Sequence, residues 1–507
     1  MSMRTPPSAP GGTSLEAPRR CPERSRLPAV RTALVLLSLF GSVACGPKTD
    51  SASPRDGEAI SDPGAIRLIL NDPTQFDRPL DACKAEHCRA LLQLIEGATM
   101  SIDFAIYGMR NQTDIKNALV AAKARGVTIR GIVDRDLDGK NYYSSTEDLV
   151  AALGDVRSDL EADVKIAKQE ARNPYDREPK CDRPTGFEGP LQCLSYDLGD
   201  TCLLAAHASR EPIEGGAKIM HNKFFVVDGQ HVWTGSTNVS DSGTGGYNAN
   251  LVTVVDSKTV ATWYTEEFEQ MYVDGRYHTR KPKPEGERRV TLSNAELDVS
   301  FSPQESPIST KLRPLIIGAE DRIDIAVFFL THKHIVADLI DAYLRGVRVR
   351  VILDATGAKN GYTKHELLRA AGIAVKVENW GGKMHMKSAV IDGKTVITGS
   401  MNWTSSGDTK NDENTIIMQS DELAKQYETY FQGIWESIPD AWLSANPDPE
   451  SKDSTTACTD GVDNDFDHQG DAADPGCSDA PPPLPSLPPW RKVAKNGRLT
   501  CELGMDG

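Results

Sequence analysis

His221-Asn222-Lys223-Phe224-Phe225-Val226-Val227-Asp228 and His385-Met386-Lys387-Ser388-Ala389-Val390-Ile391-Asp392 are two copies of one eight-residue pattern, H-x-K-x4-D. Each copy continues to the same ending, Gly235-Ser236-x-Asn238 in the first and Gly399-Ser400-x-Asn402 in the second, with the Gly seven residues past the Asp. A lone H-x-K carries little information, but six positions repeated in one register do. The apolar runs after each Lys read as short buried strands. Side chains alternate across a strand, so His221 shares a face with Lys223, and His385 with Lys387. Each Asp is followed by Gly, a strong hairpin signal. Asp228 and Asp392 are therefore expected in turns behind the site and not in contact with substrate.

The repeat is wider than the motifs. Ser101-Ile102-Asp103-Phe104-Ala105-Ile106-Tyr107 matches Arg322-Ile323-Asp324-Ile325-Ala326-Val327-Phe328. A helical pattern follows each: Ile115, Ala118, Leu119 and Ala122, then Ile335, Leu339, Ile340 and Tyr343. Gly126 and Gly346 suit helix C-terminal caps. A second apolar strand follows in each half, 127–134 and 347–354. Strand, helix, strand argues for a βαβ unit per half. The expected class is α/β, with two similar lobes, each a mixed sheet flanked by helices.

The duplicated H-x-K-x4-D with its Gly-Ser-x-Asn resembles the phospholipase D superfamily of phosphodiesterases, over roughly residues 65–440. The resemblance implies an active site on a pseudo-twofold axis between the lobes. There, His221, His385, Lys223, Lys387, Ser236, Ser400, Asn238 and Asn402 would surround a tetrahedral phosphate. One imidazole would attack phosphorus to give a phosphohistidine, and the other would protonate the leaving alcohol and then activate water. The N-terminal motif usually supplies the nucleophile in two-lobed relatives, which assigns that part to His221. The lysines and Asn238 and Asn402 would stabilise charge on the phosphoryl oxygens. No cofactor is expected for catalysis.

Acidic residues near Glu413, 28 residues after His385, orient a catalytic histidine in the family. The same count in lobe 1 lands on Ala249, so one half-site is expected to have a carboxylate partner from this position and the other none. Either histidine could receive Glu413, across the lobe interface or within its own lobe.

The halves differ in length. Asp134 to His221 is 87 residues and Asp354 to His385 is 31, so lobe 1 (65–285) carries 87 − 31 = 56 extra residues, at about 155–215. This insertion reads as a lid or as surface elaboration. Lobe 2 is expected at 286–442, followed by a linker at 443–457.

Net charge is −15. Residues 1–45 hold six Arg against two Glu, leaving −19 for the rest. An acidic chain lacks the broad basic footprint of nucleic-acid binders. The Arg-rich start, the apolar run 33–40 and Gly41-Ser42-Val43-Ala44-Cys45 read as an export signal, either lipoprotein-type with Cys45 lipidated or an ordinary cleaved one. Residues 46–64 read as a tether. Eight further cysteines suit disulfides in an exported protein, with Cys83–Cys88 and Cys458–Cys477 as plausible local pairs.

In the tail, Asp463, Asp465, Asp467, Asp471 and Asp474 fall at calcium-loop spacing within the Cys-bracketed stretch 458–478. His468 stands where Gly is expected, and an acidic linker fits equally. A Pro-rich tail, 479–507, closes the chain.

These readings converge on a phospholipid phosphodiesterase that releases phosphatidate and free alcohol, acting as a two-lobed monomer at a membrane outside the cytoplasm. The alternatives are a metal-independent endonuclease of the same superfamily and a transphosphatidylase or cardiolipin-synthase-like enzyme.

Overall fold

A computed structural model describes residues 60–136, 139–164, 191–193, 202–204, 218–478, 490–495 and 498–503. The export segment with Cys45, residues 46–59 of the tether and most of the lobe 1 insertion lie outside the described residues.

The strands that matter are β1 (Ile60–Ser61), β2 (Ala65–Leu70), β3 (Ser101–Ile106), β4 (Thr128–Val133), β5 (Val156–Ser158), β6 (Lys223–Val227), β7 (His231–Gly235) and β8 (Leu251–Asp256). They continue with β9 (Arg288–Thr291), β10 (Glu296–Ser302), β11 (Arg322–Val327), β12 (Arg348–Leu353), β13 (Ala374–Val377), β14 (Lys387–Ile391), β15 (Thr395–Gly399) and β16 (Glu413–Gln419). Lobe 1 is a seven-stranded sheet, β2-β8-β7-β6-β3-β4-β5. Lobe 2 is a nine-stranded sheet, β1-β9-β10-β16-β15-β14-β11-β12-β13. The seven strands of lobe 1 match β10-β16-β15-β14-β11-β12-β13 of lobe 2 in order, and β9 and β1 extend the lobe 2 sheet at one edge. In each, the strand after the catalytic His lies antiparallel to the first strand of a parallel βαβ unit. Both sheets are mixed and flanked by helices, as the repeat predicts.

The connecting helices, α1 (Thr113–Ala124) and α2 (Lys333–Leu344), end alike. Gly126 (φ 94°) and Gly346 (φ 102°) take the left-handed conformation that closes each C-terminus, and the next residue donates back to Ala122 O and Ala342 O at 3.1 Å. The predicted apolar stripes face inward: Ile115, Leu119, Ile335 and Leu339 are buried.

Alternation along β6 and β14 divides the core. Phe224, Val226 and Val390 point to a central core shared by both sheets, while Phe225, Val227, Ala389 and Ile391 point to the outer core of their own lobe. Two further helices enter the central core, Lys258–Tyr272 with Tyr264 and Phe268, and Asp421–Ser437 with Tyr427 and Phe431. Removing one such ring costs about 3–5 kcal/mol. The two motifs are therefore docked to each other through one packed layer.

The chain beyond lobe 2 is also packed. Thr455 bridges to Trp380, Gly381 N donates to Thr455 O (2.7 Å), and Glu450, Ser451, Ser454 and Ala457 are buried. Residues 443–457, expected as a linker, thus lie against the segment that leads into His385.

Candidate active site

Two short cross-lobe bridges build the site. Met220 pairs with Asp412, and Ala249 pairs with Met384. As a result, His221 N donates to Asp412 O of lobe 2 and His385 N donates to Ala249 O of lobe 1, both at 2.9 Å. Behind each bridge sits a buried carboxyl. Asp134 Oδ1 accepts from Met220 N (2.8 Å) and Asp354 Oδ2 from Met384 N (3.0 Å). Burial, with Asp159 beside it, holds the Asp134 carboxyl well above the usual range. Burial, with Asp354 beside it, does the same to Glu378. Each lobe thus holds a pair of buried carboxyls behind the residue that precedes its catalytic histidine, one of them raised by burial and by its neighbour.

The two imidazoles receive different partners, both from the opposite lobe. Glu413 places Oε1 and Oε2 at 2.9 and 2.8 Å from His221 Nδ1. Asn250 Oδ1 lies 3.2 Å from His385 Nδ1. This corrects the expected match of Glu413 with Ala249. Ser400 Oγ donates to Glu413 (2.7 Å) and Ser236 Oγ donates to Asn250 (2.8 Å), so Asn250 is the counterpart. Gly235 pairs with Val252, 17 residues on, and Gly399 with Thr415, 16 residues on. One extra residue in the lobe 1 loop shifts the register by one. Where lobe 2 supplies an acid, lobe 1 supplies an amide and not a bare alanine.

The remaining cage residues fall where the motif places them. Lys223 and Lys387 are buried, and each Nζ donates to the carbonyl of the histidine two residues earlier, at 2.7 and 2.6 Å. Tyr107 and Phe328, at equivalent strand ends, lie 5.9 and 5.0 Å from these ammonium groups. The same two rings flank His221 and His385 at 5.6 and 5.1 Å. Burial pushes the Lys223 ammonium down to about 7, against the pull of Glu413 and Asp134. Burial, reinforced by repulsion from Lys223, pushes Lys387 well below its usual value. Burial also pushes Glu413 up to about 8, with Lys223 pulling the other way.

Ser236 and Ser400 serve as scaffold: each hydroxyl also accepts from a backbone N–H, Leu251 or Asn414, at 3.0 Å. The glycines before them let the strands approach, since a Cβ would fall 2.2 Å from Leu251 O and 2.1 Å from Asn414 O. Asn238 and Asn402 are buried, and neither amide oxygen has a hydrogen-bond partner among the described residues.

Asp228 and Asp392 turn away from the cage, as expected. Asp228 accepts from the N–H groups of Thr99, Met100 and Ser101, and Asp392 from those of Glu320, Asp321 and Arg322. Each ties the motif's turn (φ 53° and 52°) to the start of β3 or β11.

In the tail, Asp463, Asp465 and Asp467 bring carboxylate oxygens within 4.8 Å of one another, and Asp465 and Asp474 form a second such group with Glu450. Asp471 belongs to neither; it accepts from Gly461 N (3.2 Å). Glu450 lies outside the Asp-rich run, so spacing alone did not point to it. Disulfides join Cys83 to Cys88 and Cys458 to Cys477.

Two buried lysines, two cross-braced imidazoles and four short polar side chains at one lobe interface define a phosphodiesterase-type site built from two half-sites. The family model "Cardiolipin synthase, PLD-like domain" matches residues 91–272 and 312–435, and the chain belongs to this phospholipase D-like family of hydrolases. It is 34% identical over 155 residues to mitochondrial cardiolipin hydrolase of Xenopus laevis, covering 30% of this chain and 71% of that one. It is 35% identical over 150 residues to phospholipase D of Rickettsia bellii, covering 30% and 74%. Among solved structures, the phospholipase D family member Nuc from Salmonella typhimurium aligns with 29% of this chain and 97% of its own, at 27% identity and TM-score 0.27.

Proposed function

We propose that the protein hydrolyses the head-group ester of phospholipids to phosphatidate and free alcohol, with His221 as nucleophile and His385 as general acid. The observation that carries this assignment is the unequal bracing of the two rings. In its ionised form Glu413 fixes the proton on His221 Nδ1, leaves Nε2 as the attacking lone pair and stabilises the positive charge that develops on the ring. An amide on His385 Nδ1 orients that ring without a compensating negative charge, which suits an acid that must release its proton.

His221 Nε2 attacks phosphorus, the P–O bond to the head group breaks, and His385 passes its Nε2 proton to the departing alcohol oxygen. Water then attacks the phosphatidyl-histidine, its proton goes to His385, and the P–N bond breaks to release phosphatidate. Lys223, Lys387 and the amides of Asn238 and Asn402 hold the phosphoryl oxygens throughout. The names of the cardiolipin hydrolase and phospholipase D relatives support a phospholipid substrate, and the net charge of −15 weighs against a polyanionic one.

A place outside the cytoplasm is part of the same proposal, supported by the two disulfides and the Arg-rich, apolar N-terminus. The test is turnover of the purified full chain in EDTA on phosphatidylcholine vesicles, cardiolipin vesicles and plasmid DNA, with added ethanol to reveal alcohol transfer. Choline or phosphatidate release supports the proposal. Cleavage of DNA alone would replace it with the endonuclease alternative.

A further inference from the structure

His278 stands in the connector between the lobes, in a left-handed conformation (φ 54°) that a non-glycine residue adopts only when its surroundings hold it there. It is buried completely. Its ring Nε2 lies 2.9 Å from Asp163 and 3.5 Å from Asp159, both in lobe 1. Its Nδ1 lies 3.1 Å from Asp412 of lobe 2, and its backbone N–H donates to the same carboxylate at 2.7 Å. Both ring nitrogens therefore sit at ion-pair distance from carboxyl oxygens without making an aligned side-chain hydrogen bond among the described residues, and this cluster of acids favours the doubly protonated ring by charge. Lys281, three residues on, adds a second cation 2.8 Å from Asp412 and is itself paired with Glu267.

Asp412 is an unusual anchor. Its carbonyl accepts from His221 N and its N–H donates to Ile219 O, so its backbone lies alongside the residues that lead into His221. The next residue is Glu413. At the other half-site the same backbone position is Ala249, which makes the equivalent bonds to His385 N and Lys383 O but has no side chain to hold.

We propose that His278 is a positioning residue for the His221 half-site. Its doubly protonated ring, with Lys281, ties Asp412 to Asp159 and Asp163 and so fixes the backbone that presents Glu413 to His221. The clamp exists on one side only, the side whose histidine is braced by a carboxylate. Its charges offset one another in a buried site, where an unpaired Asp412 would be pushed out of register. Burial works against the charge on His278, but Asp412, Asp159 and Asp163 outweigh it and hold the ring's proton affinity well above normal. Tyr277 is the other titratable group against the ring, and its hydroxyl stays protonated because burial raises it further.

This inference rests on His221 being the nucleophile. The test compares His278→Gln and Asp412→Asn with Glu267→Gln in the full chain. Glu267→Gln disturbs the same buried network but touches neither Asp412 nor His278. Loosening Glu413 leaves the imidazolium of His221 less stabilised, so its proton departs at lower pH. His278→Gln and Asp412→Asn should each lower kcat by about tenfold or more at little cost in KM. They should also move the acid limb of kcat/KM down by about half a pH unit or more. Glu267→Gln should lower thermal stability and leave that limb in place. An unmoved limb in both clamp variants, with activity falling only as the folded fraction falls, would overturn the proposal. So would a stoichiometric divalent metal in the wild type that His278→Gln loses, since the ring would then be a ligand. His221→Ala separates the two readings: if it still turns over, the nucleophile assignment fails, whereas an inactive His221→Ala with an unmoved limb in the clamp variants sinks the clamp alone.

Discussion

Glu413 and His221 belong to different lobes, yet the carboxylate lies 2.8 Å from the ring nitrogen Nδ1, and both side chains are fully buried. The pair makes one lobe dependent on the other for a working nucleophile. Glu413→Gln keeps the shape and removes the charge. It should lower kcat by about 100-fold or more, with KM nearly unchanged because Glu413 does not reach the substrate. Steady-state kinetics on a short-chain phosphatidylcholine decides this. A loss below about threefold would show that the carboxylate is not needed.

The buried lysines predict a pH signature. Lys223 is held near 7 by burial, so in the free enzyme its positive charge is lost as pH rises through neutrality. A bound phosphodiester restores that charge by stabilising the ammonium. The basic limb of kcat/KM should therefore begin near pH 7, and that of kcat should lie higher. Lys223→Met should abolish the difference between the two limbs and lower kcat/KM by about 100- to 1000-fold. Superimposed limbs in the wild type would mean that Lys223 does not meet the phosphate.

Asp228 and Asp392 should matter for stability and hardly for turnover. Burial would raise each carboxyl, but the backbone N–H groups it accepts from outweigh that and hold both below 3.8. A depressed carboxylate contributes stability above its unfolded pKa and loses it as pH falls through the folded one. Asp228→Asn and Asp392→Asn tolerate the same left-handed backbone, so they isolate the hydrogen bonds. Each should cost about 1–3 kcal/mol at pH 7, a drop of a few degrees in Tm, with kcat within about threefold of wild type. Once pH falls below the lowered folded-state range of these carboxyls, the mutants and wild type should converge in thermal scans. A gap that persists in acid would assign the effect to packing and not to charge.

What could be read from the sequence was local or repeated. The β-strands of both motifs were visible because Phe224–Val227 and Ala389–Ile391 are apolar and are followed by Asp-Gly. The matching βαβ units were visible because each is written twice. The cross-lobe reach of Glu413 was not, since spacing gives a distance along the chain and not the side of an interface. Asn250 was missed by one position, because a single extra residue in a loop leaves the strands intact and shifts everything counted across it. His278 has no lobe 2 counterpart, so no repeat marked it. Its partners Asp159, Asp163 and Asp412 come together only once both sheets share one core. The packing of residues 443–457 was hidden for a related reason: a polar stretch whose burial rests on backbone bonds to Asn379 and Gly381 reads as a linker.

The unequal partners of the two histidines give the sharpest test. His385, braced by Asn250, is assigned to protonate the leaving alcohol and later to activate water. On phosphatidylcholine, whose choline leaves as a strongly basic alkoxide, His385→Ala should lose about 100- to 10,000-fold in turnover. On a p-nitrophenyl phosphodiester the leaving group departs as a stable anion and needs no proton, so the first step should survive. Release of the intermediate should not, because water still lacks its base. His385→Ala is therefore expected to give a burst of about one p-nitrophenol per active site, followed by slow turnover. Peptide mapping after a denaturing quench at alkaline pH, where the P–N bond survives, should place the phosphoryl group on His221. His221→Ala, without a nucleophile, should show neither burst nor turnover on either substrate. A burst from His221→Ala with label on the peptide containing His385 would reverse the two roles, and Glu413 would then brace the acid.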